Sequence, residues 1–198
     1  MGRGHGRVPL GVADVPVGNE EEKMTFQYFF FNTYPGYFLQ MVPFALAVGV
    51  GFGMWRSRRG AGKWQSIFSG LLAAYLTGLV GVTLLLRLIG SLWYWLIYRQ
   101  PSGRVWFFEW TYDFIPDFWN HFRGENLANA LMFLPFGVLY PLAGKGRGFR
   151  RTLIAGTALV LTIELLQPIF GRAFDINDVI LNLPGIAVSA GLLRLVRK

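Results

Sequence analysis

The sequence predicts an all-α membrane protein, a small bundle of about five transmembrane helices with an aromatic-rich interfacial segment, its N-terminus outside and its C-terminus inside. Three observations predict it. Apolar residues make up 53% of the 198 residues and charged residues only 15%, against roughly 25% charged in an ordinary soluble domain. The apolar residues gather into runs long enough to cross a hydrocarbon core, which takes about 20 helical residues. The basic residues fall in short clusters between those runs and form no continuous stripe, so the net charge of +8 points to orientation in a bilayer and away from nucleic acid. With no Cys and two His, disulfides, thiolate chemistry and a His-based metal cage are all excluded.

Residues 1–33 open on a Gly/Arg-rich stretch and pass to Glu20, Glu21 and Glu22 without the basic-then-apolar pattern of a signal peptide. This segment reads as a mobile extracytoplasmic tail, and His5 among its glycines as a tail residue. Residues 34–198 read as one transmembrane bundle with spans at about 37–55, 67–90, 126–143, 152–170 and 176–196. Their internal Gly and Pro are tolerable in a membrane because neighbouring helices can satisfy the freed carbonyls.

Loop charge supports five spans. Arg56, Arg58, Arg59 and Lys63 lie between spans one and two, Lys145, Arg147, Arg150 and Arg151 between three and four, and Arg194, Arg197 and Lys198 after five. Five crossings put all three clusters on one side, the cytoplasmic one. Every carboxylate except Glu164 then falls on the other side, in the tail, in residues 109–125, or at Asp175 and Asp178. Between Ser91 and Phe122 the chain mixes Trp93, Trp95, Trp106, Trp110 and Trp119 with Glu109, Asp113 and Asp117, which suits the headgroup level. Arg87, near the end of span two, reads as a side chain snorkelling to the outer headgroups.

The polar residues inside the spans converge. At about 100° per residue, Asp175, Asp178, Asn182, Gly185 and Ser189 fall within an arc of roughly 80° on span five. Such a stripe belongs in the bundle interior, with Leu181, Ile186 and Leu192 turned outward. On span four Glu164 and Gln167 share a face. At 1.5 Å per residue, Glu164 lies roughly 18 Å from Thr152, in the outer half of the membrane. Pro168 frees the carbonyl of Glu164. Span three brings Asn126 and Asn129 on one face, followed by Phe133 and Gly137, with Pro135 freeing the carbonyl of Leu131. Together with Arg172, three helices aim amides, carboxylates and one guanidinium at a common outer-half location. A structural role is the alternative for each: Asp175 and Asp178 as helix caps, Asn129 and Asn182 as interhelical hydrogen-bonding groups.

These residues resemble the VanZ-like family of bacterial membrane proteins. The resemblance rests on Asn129-x-x-x-Phe133-x-Pro135-Phe136-Gly137, on Glu164-x-x-Gln167, and on Arg172-x-x-Asp175-x-x-Asp178-x-x-x-Asn182-x-x-Gly185. Phe114-Ile115-Pro116 is similar to the family's outer-loop element, with Asp117 in place of the expected Phe. A four-span family core corresponds to residues 67–196, leaving the tail and first span as an addition. The resemblance implies a bacterial cytoplasmic-membrane protein associated with low-level resistance to glycopeptides such as teicoplanin.

Three functions fit. The first is recognition or handling of a lipid-linked or amphipathic ligand at the outer leaflet, such as a lipid-linked cell-wall precursor or a lipoglycopeptide. In it Asn126, Asn129, Gln167, Arg172 and Asn182 bind, Phe133, Pro135, Gly137 and Gly185 shape the helices, and membrane lipids are the surrounding partners. The second is a membrane-embedded enzyme acting on a lipid or lipid-linked phosphate, with Glu164, Asp175 and Asp178 as acid–base groups or cation ligands. The third is a small transporter, which the near absence of polar groups in the inner half disfavours. No catalytic, cofactor or metal spacing selects a reaction.

Overall fold

The computed structural model describes residues 26–102, 105, 107–117, 119 and 124–197, with backbone only at 124–126. Eight helices carry most of the described chain: α1 (Phe26–Asn32), α2 (Tyr34–Arg58), α3 (Lys63–Thr83), α4 (Leu86–Tyr98), α5 (Gly124–Met132), α6 (Leu134–Leu142), α7 (Phe149–Leu166) and α8 (Ile176–Val196). A 3₁₀ turn, Gln167–Phe170, extends α7, and two short strands, β1 (Tyr112–Asp113) and β2 (Phe174–Asp175), pair in parallel. Four of the helical segments, at 34–58, 63–83, 149–170 and 176–196, are long and apolar enough to cross a membrane; the apolar stretch Leu127–Leu142 is shorter. The chain is a membrane protein of helical bundle type.

Two expected spans take a different form. The second, expected over 67–90, ends at Thr83, and a new helix begins at Leu86. No Gly or Pro marks that corner, and the apolar run continues through it, so local sequence gave no stop signal. The third, expected as one helix over 126–143, is two nine-residue helices broken at Phe133. Pro135 cannot donate to Leu131, and Phe136 N–H turns back to the carbonyl of Phe133 at 3.2 Å. The carbonyl of Met132 therefore lacks its helical donor, and the Tyr75 hydroxyl of α3 donates to it at 3.0 Å. Ser69, also on α3, donates to the carbonyl of Ala143 at 3.1 Å, beyond the end of α6. Helix α3 thus satisfies backbone groups that the broken helix leaves open, as an apolar environment requires.

Helix α8 is the hub, packed on α5, α6 and α7. A Cβ at Gly137 would meet Ser189 Oγ and the carbonyl of Ile186, and one at Gly185 would meet the carbonyl of Ala130. The two glycines let α6 and α5 approach α8 at backbone distance. Ile186, expected on the lipid side, is instead 1% exposed and lies against Gly156 of α7. The missing side chain at Gly156 opens a slot that the helical wheel of α8 alone does not reveal.

Helix α2 packs mainly on α3 through Gly49, Gly53 and Gly70; a Cβ at Gly49 would lie 2.9 Å from the carbonyl of Gly70. Helix α1 and Thr33, the N-cap of α2, occupy residues 26–33, within the segment expected to be a tail. Thr33 caps α2, its Oγ1 accepting from Gly36 N–H, and Gln40 ties α1 to α2 by donating to the carbonyl of Phe30 at 2.6 Å. The expected tail over 1–25 lies outside the described residues.

Candidate functional site

The bundle has an acidic end and a basic end. Glu164 is 16 residues from Gly148 along α7, about 24 Å at 1.5 Å per residue, so the carboxylates near the top of α7 and α8 are far from the Lys/Arg loop at 144–151.

At the acidic end, α7 delivers Glu164 and the turn after it delivers Gln167, both 2% exposed. The Gln167 amide, turned so that its nitrogen meets acceptors, donates to Glu164 Oε2 and to the carbonyl of Ala173, each at 3.1 Å. Gly171, with φ of 74°, closes the turn, and Arg172 N–H returns to the carbonyl of Gln167 at 3.0 Å. A left-handed residue here costs Gly little. The turn folds back so that the backbone amide of Asp175 hydrogen-bonds the Glu164 carboxylate, and the charges of Asp178, Arg172 and Asp175 all act on it.

Helix α5 contributes Asn129, whose Nδ2 donates to Asp178 Oδ1 at 2.5 Å. Asn182, one turn further along α8 and 2% exposed, has a buried Oδ1 with no hydrogen-bond partner among the described residues. In an apolar interior such an acceptor is costly unless something donates to it. The side chain of Asp175 caps α8, Oδ1 accepting from Asn177 N–H at 2.8 Å, the capping role that the sequence also offered for it, while its charge acts on Glu164. Phe133, 1% exposed, forms the floor at the α5–α6 break beside Pro135, while Gly137 and Gly185 set helix spacing. The side chain of Asn126 lies outside the described residues.

Arg172 does two things. Its Nη1 donates to the carbonyl of Thr83 at 3.0 Å, the open C-terminal end of α3, where a cation is favoured by both hydrogen bonding and the helix dipole. Its charge also reaches Glu164 and Arg87. Arg87 stands in the first turn of α4, with Glu109 the acidic charge beside it. Burial pulls the Arg87 pKa below its ordinary value, Arg172 pulls it the same way and Glu109 opposes; a guanidinium remains charged even so. Arg87 therefore feels the charges of both Arg172 and Glu109.

A cap crosses this end. Phe108 and Glu109 N–H donate to the carbonyls of Ile169 and Pro168 at 3.1 and 2.8 Å, and Phe174 N–H donates to Thr111 at 3.0 Å. Asp117 N–H donates to Asn177 Oδ1 at 3.0 Å while Asn177 Nδ2 donates to Asp117 Oδ1 at 2.9 Å. Phe108, Trp110, Phe114, Ile115 and Trp119 are all more than half exposed; Trp106 lies outside the described residues. Sequence reasoning missed Asn177, which lies off the polar stripe of α8, and the pairing of Asp117 with it. The signal available was a buried-type helix start, Asp175-Ile-Asn177, carrying a second polar side chain with no local partner.

Among the described residues, no three of His, Cys, Asp and Glu converge as metal ligands.

A helical membrane bundle with a buried carboxylate–amide–guanidinium centre under a pinned polar cap is the class of protein these features define. Residues 72–197 match the VanZ/LLP1 family, and the chain belongs to it. The match starts inside α3, leaving α1 and α2 outside it. Neither the curated proteins nor the solved structures contain a match to the chain.

Proposed function

We propose that the protein recognises the polar headgroup of a lipid-linked or amphipathic ligand at the outer leaflet of the bacterial cytoplasmic membrane, with the acidic end of the bundle outside and the C-terminus inside. The observation that carries this reading is the unmatched acceptor of Asn182, buried one turn from an Asn129–Asp178 pair and near a Glu164–Gln167 pair. A donor-bearing headgroup supplies what Asn182 lacks, and the guanidinium of Arg172 offers its remaining N–H groups to a phosphate or carboxylate. The exposed aromatic residues of the cap would lie among lipid headgroups and receive the apolar part of the ligand. Handling a lipid-linked wall precursor or a lipoglycopeptide in this way accounts for a link to glycopeptide resistance.

An acid–base enzyme is the second reading, favoured by the charge coupling of Glu164 to Asp178. Glu164→Gln separates the two. In the recognition reading the Gln side chain keeps hydrogen bonds to Gln167 and Asp175, and affinity for undecaprenyl phosphate in nanodiscs changes by less than about tenfold, roughly one hydrogen bond's worth. Turnover of a lipid-linked phosphate by the native chain, abolished by Glu164→Gln, would replace recognition with catalysis. A transporter reading receives no support from the basic half of α7 and α8, which carries no ionisable side chain between Arg151 and Glu164 or between Asp178 and Arg194.

A further inference from the structure

The basic end of the bundle holds a cavity of about 530 Å³ lined by Gln65 from α3, Pro141 and Leu142 from α6, the α6–α7 loop Gly144–Gly148, and Arg197 just after α8. The loop reads Gly144-Lys145-Gly146-Arg147-Gly148, and its shape follows from that alternation. A Cβ at Gly144 would lie 2.5 Å from Arg147 Nε and 2.8 Å from its Cζ, so a side chain there would push Arg147 from its place folded back over the loop. Gly146 has φ of 71°, and Arg151 Nη1 holds its carbonyl at 2.8 Å. The Arg147 guanidinium lies 4.5 Å over the Tyr140 ring and donates to the Tyr140 carbonyl at 3.4 Å. Its place at the cavity wall is therefore built from a ring, a carbonyl and a missing side chain, where a lysine or arginine selected for loop charge alone needs none of these.

Among the described residues, the cavity lining carries charge of one sign only. Lys145, Arg147 and Arg197 line it, and no Asp or Glu occurs in residues 26–108, 126–163 or 179–197. Gly148, the residue before α7, adds no side-chain cap to the first amides of the helix. Gln65 supplies a neutral donor and acceptor, while Pro141 and Leu142 give an apolar wall on one side. From this cavity we infer a second binding site, for a phosphate-bearing anion at the membrane surface, in which Arg147, Lys145 and Arg197 hold the phosphate and the Pro141–Leu142 wall meets its apolar neighbour. That chemistry is shared by the headgroup of an anionic phospholipid and by free phosphate. The site stands at the opposite end of α7 and α8 from Glu164 and does not depend on what binds there.

The test uses the full chain in nanodiscs of phosphatidylcholine mixed with phosphatidylglycerol, re-extracted and weighed intact by native mass spectrometry to count retained lipid. The native chain is expected to retain phosphatidylglycerol over phosphatidylcholine. Combined K145Q, R147Q and R197Q substitutions should cut that preference about tenfold or more, the loss of at least one charge-assisted contact to the phosphate. Combined R56Q, R58Q and R59Q substitutions, which remove the same charge outside the cavity, should leave most of it. Gly144→Ala keeps every charge and displaces only Arg147, and should lower the preference about fivefold, the weakening of one charge-assisted contact. Equal loss from both triple variants, or none from Gly144→Ala, overturns the site in favour of diffuse surface charge, as does retention of both lipids alike. In chain held in a neutral detergent without lipid, inorganic phosphate that slows hydrogen exchange at residues 144–148 in the native chain but not in Gly144→Ala identifies free phosphate as an occupant. Protection by phosphatidylglycerol alone identifies the lipid headgroup.

Discussion

Substituting Arg172 should damage stability and ligand affinity through separate donors of one guanidinium, and the two losses can be taken apart. One N–H set caps α3 at the carbonyl of Thr83, 3.0 Å away. A hydrogen bond from a charged group contributes about 1.5–3 kcal/mol, and because Arg172 is only half-buried the lower part of that range, about 1.5–2 kcal/mol, is the expected cost of Arg172→Ala. At about 2–4 °C per kcal/mol for a chain of this size, Tm should fall by about 3–8 °C. Affinity for undecaprenyl phosphate should fall about 10- to 100-fold, the loss of one charge-assisted contact to the headgroup. Arg172→Lys places a single ammonium where the guanidinium reached two ways. It should recover most of the Tm, since one donor suffices for one carbonyl, and little of the affinity, since the planar fork is gone. Thermal unfolding in nanodiscs and lipid binding on the folded fraction read the two quantities independently. Binding of a series of purified anionic lipids left unchanged by Arg172→Ala would refute the site assignment, and an unchanged Tm would refute the cap.

Other outcomes follow from the packing. Tyr75→Phe removes the donor that serves the Met132 carbonyl and should cost about 1–2 kcal/mol, with faster hydrogen exchange at residues 132–137 as the local signature. Gly185→Ala should destabilise by about 1–3 kcal/mol or more because the new methyl meets the carbonyl of Ala130; Gly78→Ala, whose Cβ meets nothing within 4 Å, should be neutral or stabilising by up to about 1 kcal/mol. A double-mutant cycle on Asp117→Ala and Asn177→Ala should return a coupling of about 1–2 kcal/mol for their reciprocal hydrogen bonds, and additivity within about 0.3 kcal/mol would show the cap is not held there.

The bundle and its polar centre were legible to different depths. Apolar runs and turn residues marked the long helices, and helical spacing placed Glu164 with Gln167 and Asn182 with Gly185, because period and burial are local properties of a sequence. The ends of helices were less legible. Nothing local stops the helix at Thr83, where an arginine 89 positions later takes the last carbonyl. Pro135 marked a freed carbonyl inside the third span, yet the break at Phe133 also needed Tyr75 to receive Met132, 57 positions away. Ile186 was misread because the slot it fills is made by a glycine on another helix. Asp175 was visible both as a polar residue of the stripe and as a candidate cap of α8, and that it caps depends on the backbone angle at the turn, which spacing does not report.

The broken α5–α6 segment bears on how the chain enters the membrane. Each half is nine residues long, well short of a hydrocarbon crossing, and the junction exposes carbonyls that lipid cannot satisfy. Tyr75, which donates to the Met132 carbonyl at that junction, and Ser69, which donates to the Ala143 carbonyl past the end of α6, belong to a helix synthesised earlier in the chain. The α5–α6 segment is therefore a dependent element: its place is prepared by α3 and sealed when α8 closes over Gly137 and Ala130. Assembly of the site accordingly waits for α8, and a ribosome-bound fragment ending before Ile176 would hold the amide of Asn129 with neither Asp178 nor Asn182 beside it.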